Sequence, residues 1–265
     1  MATDRDVFFA ALNHRRAERM LYHAGFTPDL RTRVIDHIGT EDIVGHYGMF
    51  APMNLAPQRP PEIPPIDYTM YYEDTELPEG TEFNLVGAAR IPSGFYHFFG
   101  YLSPLRNAQS LRELEAYPLP DYSQWDTSHY EETVRIARQT GRVVAGHVGH
   151  MYESAWQIRG YEQFLIDMIE RPAWAECLLD KLIACARTKA LAAARAGADY
   201  LRCGDDVANQ ETLMFSKPMW RRFMLSRWQS VWEEVKQVNP DCHIWYHSDG
   251  NIEPIVGDLT AAGVD

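Results

Sequence analysis

The chain has 265 residues, 25 basic and 37 acidic, for a formal net charge of −12. It is 46% hydrophobic and 12% aromatic, enough for one large α/β domain or two small ones, which excludes a largely disordered chain. The acidic balance argues against nucleic acid as a main partner, and no run of about 18 apolar residues offers a membrane span.

The opening MATDRDVFFAALNHRR carries acidic residues early and no apolar stretch before a cleavage site, so no signal peptide is expected. Residues 4–19 read as a short helix with Val7, Phe8, Ala11 and Leu12 on one face. MLYHAGF (20–26) reads as a first strand and Leu30–Ile38 as a helix. The proline-rich stretch 51–65 is excluded from helix interiors and central strands. Residues 66–104 alternate aromatics (Tyr68, Tyr71, Tyr72, Phe83, Phe95, Tyr96, Phe98, Phe99, Tyr101) and read as short strands or a hairpin layered on a main domain. Ser110–Ala116 reads as a helix and 117–125 as a loop.

After residue 127 the pattern becomes regular. Helix is predicted over His129–Gln139, closed by Gly141, and strand over Arg142–Val148. Tyr161–Ala196 reads as helix, interrupted near Pro172 and ended at Gly197. Asp199–Cys203 reads as strand and Pro218–Val238 as helix, with Trp220, Phe223, Met224, Trp228, Val231, Trp232 and Val235 as its buried stripe. His243–His247 reads as strand, Ile252–Ala262 as helix, and Gly263–Asp265 as the start of another strand. Strands alternating with helices predict a parallel sheet. About five strands can be counted against the eight of a closed barrel of about 250 residues, so the expectation is a single α/β domain over 1–265, a fragment lacking further βα units.

In such sheets chemistry gathers at the C-terminal strand ends. Three of those ends are polar: GHVGHMYES (146–154), CGDDVANQE (203–211) and YHSDGN (246–251). His247 and Asp249 share one side of an extended chain and suit a metal or acid–base work. Of the adjacent carboxylates Asp205 and Asp206, one is expected to face the mouth and the other away. Gln210 and Asn209 are amide donors for a polar ligand, and His147 and His150 flank Gly149 where small residues admit a flat ligand. Tyr246 joins them as a substrate contact. The four cysteines, Cys177, Cys185, Cys203 and Cys242, form no CxxC pair, which favours reduced thiols and a cytoplasmic setting. Only Cys203 sits at a functional strand end. No phosphate loop, GxSxG elbow or HExxH motif occurs.

GDDVANQETLMFSKPMWRRFMLSRW (204–228) followed by IWYHSDGNIEPIVGDLTAAGVD (244–265) resembles the uroporphyrinogen decarboxylase superfamily, which includes the cobalamin-dependent methyltransferases. SPLRNAQSLRELEAYPLPD (103–121) and AALNHRRAERM (10–20) are similar to other stretches of that family. The resemblance implies a TIM (β/α)8 barrel, incomplete here by about the last three βα units. Two departures bear on the subgroup. The decarboxylases carry substrate-binding arginines on the first strand, where the matching segment YHAGFTPDLRTR (22–33) has Tyr22 and Phe26. Their catalytic aspartate after the second strand has no counterpart in DIVGHYGMF (42–50), which offers His46 and Tyr47. The methyltransferases bind zinc through a His-x-Cys on the fifth strand and a later cysteine. His247 matches the histidine, and Asp249 stands at the cysteine.

The resemblance therefore implies a corrinoid-dependent methyltransferase, with His247 and Asp249 holding zinc or orienting the nucleophile. Asp206 is then the third catalytic residue. Asp205, Gln210, His147, His150 and Tyr246 would bind substrate. The implied partners are a small-molecule substrate and a corrinoid protein; separately, the aromatic residues of 66–104 offer a surface for a homodimer. The alternatives are a decarboxylase of uroporphyrinogen or another carboxylated compound, and a non-catalytic corrinoid-binding protein.

Overall fold

The computed structural model describes residues 2–93 and 99–265. Phe95, Tyr96 and Phe98 of the expected aromatic layer lie outside the described residues. In chain order the first elements are α1 (Asp4–Leu12), α2 (Pro28–Ile38), α3 (Ile43–Tyr47), β1 (Met53–Leu55), β2 (Glu82–Phe83), β3 (Ala89–Pro92), β4 (Phe99–Leu102), α4 (Leu111–Ala116) and α5 (Tyr130–Thr140). They are followed by β5 (Val144–His150), α6 (Tyr152–Arg159), α7 (Tyr161–Glu170), α8 (Pro172–Ala196), β6 (Tyr200–Gly204), α9 (Lys217–Trp220), a π-helical turn over Arg221–Leu225, α10 (Ser226–Val238), β7 (His243–His247) and α11 (Glu253–Ala261).

A four-stranded sheet runs in the order β1-β5-β6-β7, every pair parallel. Among the described residues it does not close into a barrel. The expected strand at 20–26 is absent: Met20 is 83% exposed, and the segment has no neighbouring strand to satisfy its backbone. The chain instead enters the sheet at β1. Pro52 and Pro57 bracket this three-residue strand, and a proline-bounded strand belongs at an edge, which is where β1 lies. The opening helix also stops earlier than its apolar pattern suggests. Thr3 and Asp6 cap it reciprocally, and His14 turns to φ 54° just past its C-cap Asn13.

One face of the sheet is sealed by helices. Leu55, Val144, Val148, Leu201, Cys203 and Ile244 pack with α8 and α10 in one buried cluster. The stripe predicted along 218–238 is buried throughout, Trp220 to Val235. The helix itself is α9, the π turn and α10 in succession. At the N-terminal end of the other face, Phe8 of α1 stacks on Phe50 and leans on Tyr200, plugging that end. Towards the C-terminal end that face carries His147, Arg202 and Trp245, which are register partners across β5, β6 and β7. The aromatic segment forms a separate antiparallel sheet, β2-β3-β4. Tyr72 anchors it by donating its hydroxyl to Gly87 O (2.7 Å) and Leu102 O (2.9 Å). Among the described residues, no helix is long and apolar enough to cross a membrane.

Candidate metal centre at the strand ends

His147 and His150 are three residues apart, and an ideal strand would point them to opposite faces. The β5–β6 register shifts between His147 and Gly149, where Gly149 adopts φ 100°. This bulge, in a backbone conformation that favours glycine, re-aims His150. His150, Gly204 and His247 consequently become register partners across three strands, and the two imidazole rings lie 6.0 Å apart. Gly204 makes the approach possible, because a Cβ there would lie 2.2 Å from His247 O.

Asp206 is half-buried beside them. Its Oδ1 lies 3.6 Å from His247 Nε2 and accepts the Asp249 N–H at 2.8 Å. Asp249 Oδ1 lies 3.5 Å from the same His247 nitrogen. The ligand atoms of Asp206, His247 and Asp249 fall within 4.8 Å of one another. Those of His150, Glu153 and Asp206 do the same. Two ligands each about 2.1 Å from a tetrahedral ion stand roughly 3.4 Å apart, so the 3.5 and 3.6 Å separations suit a cation between them better than direct hydrogen bonds. The donor set of imidazole and carboxylate fits a divalent cation, harder than a set built on thiolates.

Glu153 is the residue that sequence reasoning missed. It opens α6 in a stretch read as a polar strand end. Its Oε1 pairs with His150 Nδ1 at 2.7 Å and accepts the Asp206 N–H at 2.8 Å. That carboxylate raises the His150 pKa, chiefly through the hydrogen bond and against the desolvation of the ring. The signal in the sequence was the His-x-x-Glu spacing across the strand–helix junction.

Three expected substrate contacts are placed elsewhere. Asp205 has no exposed surface. Its Oδ1 accepts the N–H groups of Met151 and Tyr152, both at 2.7 Å, and its Oδ2 accepts the Trp228 indole N–H at 2.6 Å. It therefore holds the start of α6, and with it Glu153, against α10. Burial and the Glu153 carboxylate push its pKa up, while the Trp228 and Tyr152 donors pull the other way. Tyr246 lies between Trp245 and His247 and so points to the opposite face, against Trp232. Its hydroxyl is buried without a hydrogen-bond partner among the described residues. Gln210 is exposed on the turn after β6, and no described contact ties it to the cluster. Asn209 serves that turn, its Oδ1 accepting the N–H of Glu211 and Thr212 at 2.8 Å each. Cys203 packs on the helical side with its thiol pushed up by burial, so it is no metal ligand here. His147 is exposed on the open face two register positions below the cluster, beside Arg202. The Arg202 guanidinium lies 4.8 Å from the centre of the Trp245 ring, and no acidic partner is described for it.

Among curated proteins none matches this chain. Among solved structures it is similar to a methyltransferase from Methanosarcina mazei, at 19% identity and a TM-score of 0.59, covering 100% of this chain and 75% of that one. That likeness is one of fold. The family model described as "Uroporphyrinogen decarboxylase (URO-D)" matches residues 102–265, a span that contains every residue of the cluster. The chain belongs to the uroporphyrinogen decarboxylase family.

Proposed function

We propose that this chain is a corrinoid-dependent methyltransferase that passes a methyl group between a corrinoid and a small nucleophile such as a thiol. The observation that carries the reading is the Asp206–His247–Asp249 group, gathered at the C-terminal ends of adjacent parallel strands. The four strands are read as an arc of a (β/α)8 barrel, whose rim is where such barrels place their chemistry. A divalent cation held there, zinc in the first instance, would lower the pKa of a bound thiol.

The chain's own residues divide the remaining tasks. His247, Asp206 and Asp249 supply the ligand atoms. Glu153 orients Asp206 through its backbone N–H, and Asp205 fixes the helix start that carries Glu153. His147, Arg202 and Trp245 line the open face below, where Arg202 offers its guanidinium to an anionic group of the substrate. A corrinoid protein is the partner this chemistry calls for.

A second reading is decarboxylation of uroporphyrinogen or another carboxylated compound. It draws on the family match and on Arg202, which meets no carboxylate among the described ion pairs. Incubation with methylcobalamin, zinc and a small thiol separates the two. Methyl transfer predicts loss of the alkyl-cobalt absorbance that requires the thiol and falls at least about 10²-fold in His247→Ala, as loss of a group acting in the transition state does. Release of CO2 from uroporphyrinogen with no demethylation would overturn the methyltransferase reading.

A further inference from the structure

Four carboxylates crowd the rim: Glu153, Asp205, Asp206 and Asp249. Among the described ion pairs none of them meets a lysine or arginine, and only His150 and His247 pair with any of them. Asp205 is satisfied by three N–H donors. The other three are not balanced in this way. Glu153 is the sharpest case: its Oε1 is used twice, while its Oε2 is buried and has no hydrogen-bond partner among the described residues. A buried acceptor without a donor is costly, and a carboxylate oxygen more so. Asp206 belongs to both groups of ligand atoms, the one with His150 and Glu153 and the one with His247 and Asp249.

We propose that the rim binds two divalent cations bridged by the Asp206 carboxylate, the second ion held by His150 and Glu153. A bridging carboxylate spaces such ions about 3.5–4 Å apart. Glu153 Oε1 is already hydrogen-bonded to His150 Nδ1 at 2.7 Å, so an ion on this side would draw on Glu153 Oε2 and would offset carboxylate charge that no lysine or arginine neutralises among the described ion pairs. The all-nitrogen-and-oxygen donor set favours ions of the manganese, iron, cobalt and zinc class over soft metals. The bridge rests on the proposed cation at Asp206, His247 and Asp249, yet binding can be counted without any turnover.

The test is a Mn2+ titration of the whole chain, with bound ion counted by loss of the free-ion electron paramagnetic resonance signal. The wild type should take up two Mn2+ per chain, with spin coupling between them. Glu153→Gln should take up one. His150→Ala, which spares the Glu153 bond to the Asp206 N–H, should also take up one, so a folding defect confined to either variant does not decide the matter. Asp206→Asn should remove the coupling signal. A wild type that binds one ion, lost in His247→Ala and retained in Glu153→Gln and His150→Ala, would overturn the second ion while leaving the methyltransferase reading intact. Two ions that persist in both Glu153→Gln and His150→Ala would also overturn this assignment. A wild type that binds none would overturn the two-ion assignment.

Discussion

The two ends of the parallel sheet use the same residue type in opposite ways. At the N-terminal end Asp199, which leads into β6, is almost fully buried, and both its oxygens are occupied. Arg138 reaches both oxygens at 2.7 Å, Arg5 reaches one at 3.0 Å, and the Val144 N–H donates to the other at 2.8 Å. Asp265 repeats the pattern beside β7, with Lys236 at 3.0 Å and the Ile244 N–H at 2.8 Å. At the C-terminal end Asp206, Asp249 and Glu153 stand close by, and among the described ion pairs only imidazoles face them. Aspartates at one end tie strands to helices, and at the other they are left to bind something. Charge compensation, more than residue identity, separates the structural end from the functional one.

The largest effect should come from breaking the compensated end. Asp199→Ala leaves the buried Val144 N–H and two part-exposed arginines without their acceptor, and hydrogen bonds to a charged group are worth about 1.5–3 kcal/mol each. Chemical denaturation should show that loss, with cation binding unchanged in whatever fraction remains folded. Asp205→Ala is the crossover case. It leaves three N–H donors without an acceptor, a loss of roughly 3 kcal/mol, and it should weaken cation binding as well because α6 carries Glu153.

These two residues also mark what the sequence made legible. His247 and Asp249 could be found because a strand has period two and the strand was correctly placed. The same period shows why Tyr246 is misassigned as a substrate contact: it is the odd residue between them and faces Trp232. For Glu153 the sequence offers only the His-x-x-Glu spacing, because nothing local announces the bulge at Gly149 or that α6 starts at Tyr152. Asp205 reads as a ligand contact in the sequence because its three donors come from Met151 and Tyr152, more than fifty positions away, and from Trp228. The strand expected at 20–26 failed for a related reason. Its apolar residues have no partner strand, and the short edge strand β1 lay within a proline-rich stretch that only pairing with β5 reveals.

Smaller effects probe the uncompensated end. Saturating Zn2+ or Mn2+ should raise stability by about 2.7 kcal/mol per bound ion at a hundredfold excess over Kd, and a chelator should reverse it. The shift should vanish in Asp206→Asn. Without added cation, His247→Ala and Asp249→Ala should each stay within about 0.5 kcal/mol of the wild type in denaturant titrations, since both side chains are partly or largely exposed. A loss as large as that of Asp199→Ala would erase the distinction between the two ends. Smallest of all, Tyr246→Phe removes a buried hydroxyl without a hydrogen-bond partner among the described residues and should leave both stability and methyl transfer nearly unchanged. A large drop in transfer would return Tyr246 to the site.

The most direct measurement is the divalent metal content of the purified chain beside His247→Ala and Asp206→Asn. The account predicts bound metal in the wild type, lost from both variants, whose stability should match that of the metal-stripped wild type. A metal-free wild type that transfers methyl groups at full rate, with no gain on adding zinc or manganese, would contradict it.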